Sequence, residues 1–229
     1  MARQQSLVLP PPAGRAQWSE QTLLDAVTRR ALASLNHAFL DLAAELEDEG
    51  RLRLIAGLPP RAINALIDAG AQRKLCESLP FALFDLRFGD DAFWESQAAV
   101  GGGVQDGHAA HAADERIVAF ARATIMLAWH LAQVHALGVR LVFGAAPGTV
   151  AVLAGLPVAD VDGLGRRVAP SLAARFGARA RFWMQFEGWA ADPRDESVLL
   201  LQLLGLQIQG AESARRQSLQ RRFRRAIPA

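Results

Sequence analysis

Leu32-Ala33-Ser34-Leu35-Asn36-His37-Ala38-Phe39-Leu40-Asp41-Leu42-Ala43-Ala44-Glu45-Leu46 decides the fold class. Its large apolar residues at 32, 35, 39, 42 and 46 alternate three and four apart. That spacing lines one side of an α-helix and makes the seam of a helix that packs along another helix. Upstream, Ser19 offers a side chain that caps a helix start; downstream, Gly50 ends it. Glu45, Glu47, Asp48 and Glu49 crowd the last turn, where the helix dipole disfavours negative charge, so Arg51 or Arg53 is expected nearby to compensate.

Working outward, Gly57-Leu58-Pro59-Pro60 places proline where a first helical turn accepts it, and Ala62, Ile63, Leu66 and Ile67 follow at helical spacing up to a stop at Gly70. A further short helix over 71–79 turns Leu75 and Cys76 inward. The period then changes: Phe81-Ala82-Leu83-Phe84-Asp85-Leu86-Arg87-Phe88 reads as a short aromatic strand ending in the Gly89-Asp90-Asp91 turn. After a loop rich in glycine and alanine over 100–113 the cycle returns. A long helix over 114–136 turns Ile117, Ala121, Thr124, Leu127, Leu131 and Val134 inward and stops at Gly138. Gly144 and Pro147 introduce a short helix with Val150, Val152 and Leu153; Gly155 and Pro157 introduce another with Val158, Val161 and Leu164. Arg181-Phe182-Trp183-Met184-Gln185-Phe186 closes the cycle as a second strand-like aromatic run.

Laid against each other, Leu54-Ile55-Ala56-Gly57 falls on Leu141-Val142-Phe143-Gly144, Ile63 on Val150, Leu66 on Leu153, and Arg87-Phe88 on Arg181-Phe182 after a small insertion. Element order is kept throughout, which apolar periodicity alone does not produce. The chain is therefore read as mainly α: two tandem units forming an intramolecular pseudo-dimer, each with a long helix, two short helices and a short aromatic strand-like segment. The expected organisation is a flexible arm over 1–17, a first unit over 18–96, a glycine-rich linker over 97–112, a second unit over 113–190, and a C-terminal helix with an arginine-rich tail over 191–229. A seam that a unit's own short helices do not cover needs a partner, and fusing two copies makes that pairing intramolecular. Leu35, Phe39, Leu42 and Leu46 on one long helix, with Thr124, Leu127 and Leu131 on the other, are expected to form the contact. Trp94 and Trp189, each just beyond its strand-like run, are expected at an inter-repeat or partner interface.

Composition narrows the function classes. Half of the 229 residues are apolar, enough for a sizeable core. Cys76 is the single cysteine, which excludes an intramolecular disulfide and a multi-cysteine zinc site. The apolar run before Pro10-Pro11-Pro12 is too short for a secretory core, and the most apolar stretch, 117–131, carries Arg122, so a cytoplasmic protein with no membrane partner is expected. His108 and His111 lie in the glycine-rich linker and His130 and His135 are five apart, off one helical face, so no metal and no cofactor are expected. Asp90-Asp91, Asp192 and Asp195-Glu196 sit where carboxylates cap helices; Ser171 and Ser197 have no histidine near in sequence; Gly163-Leu164-Gly165 and Gly101-Gly102-Gly103 lack the strand and Lys-Ser/Thr ending of a phosphate loop. The expectation is that the chain is not an enzyme, and nothing marks a pocket for a small-molecule sensor. Lys74 is the only lysine, and the arginines gather in the tail: Arg215, Arg216, Arg221, Arg222, Arg224 and Arg225 follow an apolar helix over 198–208. Guanidinium groups bind phosphate oxygens in pairs, so the tail is a candidate nucleic-acid contact, against a solvated helix end or a site for an acidic protein.

Leu35-Asn36-His37-Ala38-Phe39-Leu40-Asp41-Leu42-Ala43 resembles the long first helix of FlhD, the D subunit of the bacterial flagellar master transcription activator. Residues 144–164 are similar to that family's glycine and two short helices, with Leu153-Ala154 and Leu156 in place, and Leu86-Arg87-Phe88-Gly89-Asp90 resembles its closing aromatic element. The similarity leaves out the N-terminal arm, the linker and the tail. This chain departs from the family at Pro59-Pro60, in a shortened first short helix, and in having no counterpart of Asn36 in its second copy. The family protein carries one unit per chain and pairs as a homodimer. The resemblance implies a non-enzymatic transcription regulator, an activator bound to promoter DNA with a zinc-containing FlhC-like partner subunit. The competing reading is a structural adaptor of a flagellar or secretion apparatus that has kept the fold without DNA binding.

Overall fold

The 32–46 stripe lies on helix α1, Ala26–Asp48, where Leu32, Leu35, Phe39, Leu42 and Leu46 are all buried. The computed structural model describes residues 24–52, 55–59, 69–99, 114–192 and 194–226; for the helical residues 69, 71, 191 and 220–226 only the backbone is described. Asp25 is the cap of α1, its Oδ1 accepting from the Thr28 amide at 2.6 Å, whereas Ser19 lies outside the described residues. Gly50 ends the helix as expected: its φ is +68°, and the Gly50 and Arg51 amides donate to the Glu47 and Leu46 carbonyls.

Gly70 does not stop a helix. It lies inside α2, Ala69–Ser78, which buries Leu75 and Cys76; the helix expected over 62–67, with Ile63 and Leu66, lies outside the described residues. Of the aromatic run 81–88 only β1, Phe84–Asp85, is a strand. The run is nonetheless almost wholly buried, and Asn36 takes the place of a neighbouring strand: its Nδ2 donates to the Phe81 carbonyl at 3.0 Å and its Oδ1 accepts from the Leu83 amide at 2.9 Å. Asp90 Oδ1 accepts from the Phe93 amide at the start of α3, Asp91–Ala99.

The second long helix, α4, is Glu115–Val134, with Asp114 as its cap. Ile117, Ala121, Thr124 and Leu131 are buried and Leu127 is half-buried, but Val134 is exposed because the helix ends there. Gly138 is not the stop: His135 breaks the helix, and its Nδ1 accepts from the Gly138 amide to start α5, Ala136–Phe143. Gly144, at φ +65°, closes α5. Pro147 opens α6, Pro147–Gly155; a 3-10 turn then leads into α7, Val161–Val168, with Val158 exposed on the turn. The strand-like run expected over 181–186 is helical. It lies in α8, Ala180–Ala191, where Phe182, Trp183, Phe186 and Trp189 fall on one buried side, and the strand of this half is β2, Ala173–Ala174. The C-terminal helix α9, Asp195–Ala226, runs well beyond the apolar stretch that marked it. The described structure is mainly helical, and α4 is by length and composition apolar enough to cross a bilayer, although half of it is buried against the rest of the chain.

Helices α1 and α4 pack antiparallel: the Phe39 and Phe120 rings meet at 6.0 Å, while Arg116 in the first turn of α4 holds Glu45 and Glu49 in the last turn of α1. The acidic end of α1 is thus compensated chiefly by Arg116, with Arg51 joining Glu49 to Asp114; Arg53 lies outside the described residues. Backbone hydrogen bonds stitch the halves together. β1 pairs antiparallel with β2, Phe84 opposite Ala174 and Asp85 opposite Ala173; Ala146 donates to Phe88, Ala82 to Val142 and Ala174 to Ala56. One aromatic core, with Phe84 between Phe39, Phe120 and Phe143, spans both.

Local details recur at a single separation of 89 residues. The caps Asp25 and Asp114 stand so, as do the buried pairs Leu32 and Ala121, Leu35 and Thr124, Phe39 and Ala128, and Leu42 and Leu131. On the short helices Leu75 and Leu164, Cys76 and Gly165, and Leu79 and Val168 are buried alike. Arg87 and Phe176, φ 59° and 58°, are the non-glycine residues with left-handed backbone among the described residues, and the indoles of Trp94 and Trp183 donate to their carbonyls, each at 3.1 Å. At this separation Trp94 falls on Trp183 rather than Trp189, and Arg87-Phe88 falls on Phe176-Gly177 rather than on Arg181-Phe182.

Candidate functional site

The seam residues are structural. Leu35, Phe39, Leu42, Leu46, Thr124 and Leu131 lie in the core between α1 and its neighbours, and Trp94 and Trp189 are buried within the chain, Trp94 stacked on Phe88 at 5.1 Å. Two surface features are left with unneutralised charge.

The first is a groove between α1 and α2 with a volume of about 650 Å³. Ala33 and Cys76 form its buried floor; Arg29, Arg30 and Arg73 stand exposed on its walls, and Asp41 and Glu77 line it as well. Asp41 is engaged by His37 at 2.7 Å and by Gln72 at 3.1 Å. No ion pair involves Arg29, Arg30 or Arg73 among the described residues. Burial pushes the Cys76 thiol up to about 12, helped by Asp41 and Glu77, so it remains a neutral floor residue and not a nucleophile.

The second is the basic end of α9. Helix continues to Ala226, so Arg221, Arg222, Arg224 and Arg225 are carried on a helix, their side chains lying outside the description. Arg215 is exposed and has no ion pair among the described residues. Arg216 turns inward: it packs over Gly89, where a Cβ would meet its guanidinium, and donates to the Gly144 carbonyl at 3.1 Å. It lies beside a small polar cleft where Asp85 Oδ1 accepts from the Phe88 amide and Arg175 donates to the Val142 carbonyl. Burial raises the Asp85 carboxyl, an effect only partly opposed by Arg175, and lowers Arg175 to about 10, which leaves the guanidinium charged at neutral pH. Gln209 and Glu212 of α9 line the same cleft, and Arg179 pairs with Glu212 at 3.0 Å, so this cluster fastens α9 to the body.

Sequence reasoning singled out the tail arginines but missed Arg29, Arg30 and Arg73, because the adjacent Arg29 and Arg30 meet Arg73 only when α2 folds onto α1. His130 and His135 belong to no cluster of metal-ligand residues among the described residues, and His108 and His111 lie outside them. Ser171 Oγ donates to the Val168 carbonyl at 2.7 Å, a turn contact. No family model, curated protein or solved structure matches the chain.

Proposed function

We propose that the chain is a fused pseudo-dimer of two FlhD-like units and works as a non-enzymatic transcription regulator in the cytoplasm, acting at promoter DNA with a zinc-containing FlhC-like partner subunit. The observation that carries the reading is the recurrence at 89 residues of caps, buried seams, strand, left-handed residue and indole hydrogen bond. Chance patterning reproduces a helical stripe; it does not reproduce two unusual backbone conformations, each bonded by a tryptophan seven residues on. The strand pairing fits an approximate two-fold: residues 84 and 173 exchange places, as do 85 and 174, which is how an isologous dimer pairs its edges. A unit that pairs with its own kind is an association module, and the family resemblance of its helices supplies the regulatory role.

Arginines on the last turns of α9 support contact with phosphate. If about four of them neutralise phosphates, log affinity falls with log salt at a slope near −4. Copurification with a candidate partner, followed by promoter-fragment binding by the full chain and by a chain ending before Arg215, tests this. Loss of affinity and a shallower salt slope on truncation are expected; unchanged values refute the nucleic-acid role. The groove, whose three arginines have no ion pair among the described residues, favours a second reading, the adaptor without DNA binding, which stable partner assembly with no promoter affinity would select.

A further inference from the structure

The two helix pairs α1/α2 and α4/α7 share many buried positions 89 residues apart but differ in their outer surfaces, where exposed Arg29 stands 89 residues before buried Val118. Across α4 and α7, Arg122 pairs with Asp162 at 2.7 Å and Arg166 with Glu115 at 3.0 Å. Gly165 lets Arg122 lie directly on α7, since a Cβ there would stand 2.5 Å from the Arg122 Cγ. That junction is closed and its charges are matched. In α1/α2 the residues 89 positions earlier are Ala33, Arg73, Glu77, Ala26 and Cys76. Neither cross-helix pair can form, because alanine stands in place of one member of each, and Cys76 stands where Gly165 does in the other pair. Between these helices lies the groove of about 650 Å³, with Arg29, Arg30 and Arg73 in no ion pair among the described residues.

We infer that this groove is the docking site for an acidic helix of a partner protein. Small side chains on the α1 wall, Ala26, Ser34 and Ala38, leave room for another helix backbone to come close. Carboxylates one helical turn apart on such a helix reach Arg29 and Arg30 on one wall and Arg73 on the other, replacing the ion pairs that close α4/α7. Asp41 and Glu77 in the same groove repel a continuous phosphate backbone, so nucleic acid is the poorer occupant. The chain's own first 23 residues carry Arg3 and Arg15 against Glu20, a net positive charge that does not complement three arginines. The inference rests on the association-module reading above and adds the chemistry of the partner.

The test uses the full chain and a fluorescein-labelled, alanine-rich helical peptide with glutamates three and four apart, read by fluorescence anisotropy. Binding is expected, and R29A combined with R73A is expected to weaken it at least tenfold, with R181A, a substitution on the exposed face of α8, leaving it unchanged. Circular dichroism of each variant keeps folding separate from binding. No binding of the peptide, or binding indifferent to R29A/R73A, overturns the inference. So does displacement of the peptide by an equally charged oligonucleotide at lower concentration, or self-association in sedimentation that R29A/R73A abolishes, since the occupant would then be nucleic acid or a second copy. Loss of promoter affinity in every form of the protein, with peptide binding intact, would remove the regulator and leave the groove standing.

Discussion

Asn36 is the one amide side chain whose loss should be felt through the whole first half. It is fully buried, and its two hydrogen bonds hold Phe81 and Leu83, which flank the start of the aromatic run that feeds β1. Asn36→Leu keeps the volume and removes both bonds, stranding a buried carbonyl and a buried amide. At about 1–3 kcal/mol for each unsatisfied group, partly offset by no longer burying the amide itself, the net cost is about 2–4 kcal/mol. For a chain of this size that lowers Tm by roughly 4–16 °C. Urea unfolding followed by circular dichroism measures it, with an unchanged m-value as the check that the same state unfolds. At the position 89 residues on stands Ile125, and there the amide corresponding to Leu83, that of Leu172, bonds to the Ala169 carbonyl at 3.1 Å within a 3-10 turn. Ile125→Leu should therefore cost less than about 1.5 kcal/mol. Asn36→Asp adds a sign test. Its carboxylate accepts from Leu83 but faces the Phe81 carbonyl without a proton, so its folded pKa is raised and the variant should regain stability as pH falls through that value. An Asn36→Leu protein within about 0.5 kcal/mol of the parent would refute the reasoning.

Gly177→Ala should cost about 2 kcal/mol or more, because its Cβ would stand 2.7 Å from the Gly57 carbonyl oxygen, backbone against backbone, whereas Gly188→Ala in the open interior of α8 should stabilise by about 0.5–1 kcal/mol; paired urea titrations compare them. Thr124→Val should be neutral or stabilising by about 1 kcal/mol, since the buried Thr124 hydroxyl has no hydrogen-bond partner among the described residues, and a loss of stability would reveal one. The Asp114 carboxyl is held well below the ordinary carboxylate range, first by its bond to Arg116, then by the Arg116 amide and by Arg51. Its contribution is present above that range and lost as pH falls toward the lowered value, so subtracting the stability–pH curve of Asp114→Asn from that of the parent should give a difference that shrinks only below about pH 4.

The parts of the fold legible in the sequence are those fixed by local pattern. The seams of α1 and α4, the Gly50 stop and the Pro147 start follow from spacing and backbone preference, and the structure has them, whereas the helix that Gly144 closes was not read from the sequence. Misreadings arose where a short element takes its conformation from across the chain. Asp85 is strand because Ala173 lies opposite it, not because of anything within 81–88. Phe182, Trp183, Phe186 and Trp189 were themselves at helical spacing, and their aromatic character drew the reading toward a strand. The groove was illegible for a different reason: Arg73 is distant in sequence from the adjacent Arg29 and Arg30, and the cross-helix ion pairs of the other helix pair have no equivalent here because Ala33 and Ala26 stand where Arg122 and Glu115 do 89 residues on.

The same cause explains the slipped register between the halves. Matching glycine to glycine set Gly57 on Gly144, a separation of 87, yet Gly57 does a different job: with φ at +77° it packs against Gly177, in the place where Ala146 meets Phe88 in the other half. Gly144 instead ends α5 beneath the Arg175 and Arg216 guanidiniums. Two glycines with the same backbone preference thus serve unrelated contacts, one a close approach of two backbone segments and the other a helix end under arginine. The doublets Phe93-Trp94 and Phe182-Trp183 were the better guide to register, because a tryptophan that must both fill a core and bond a left-handed residue's carbonyl has far fewer places to go than a glycine.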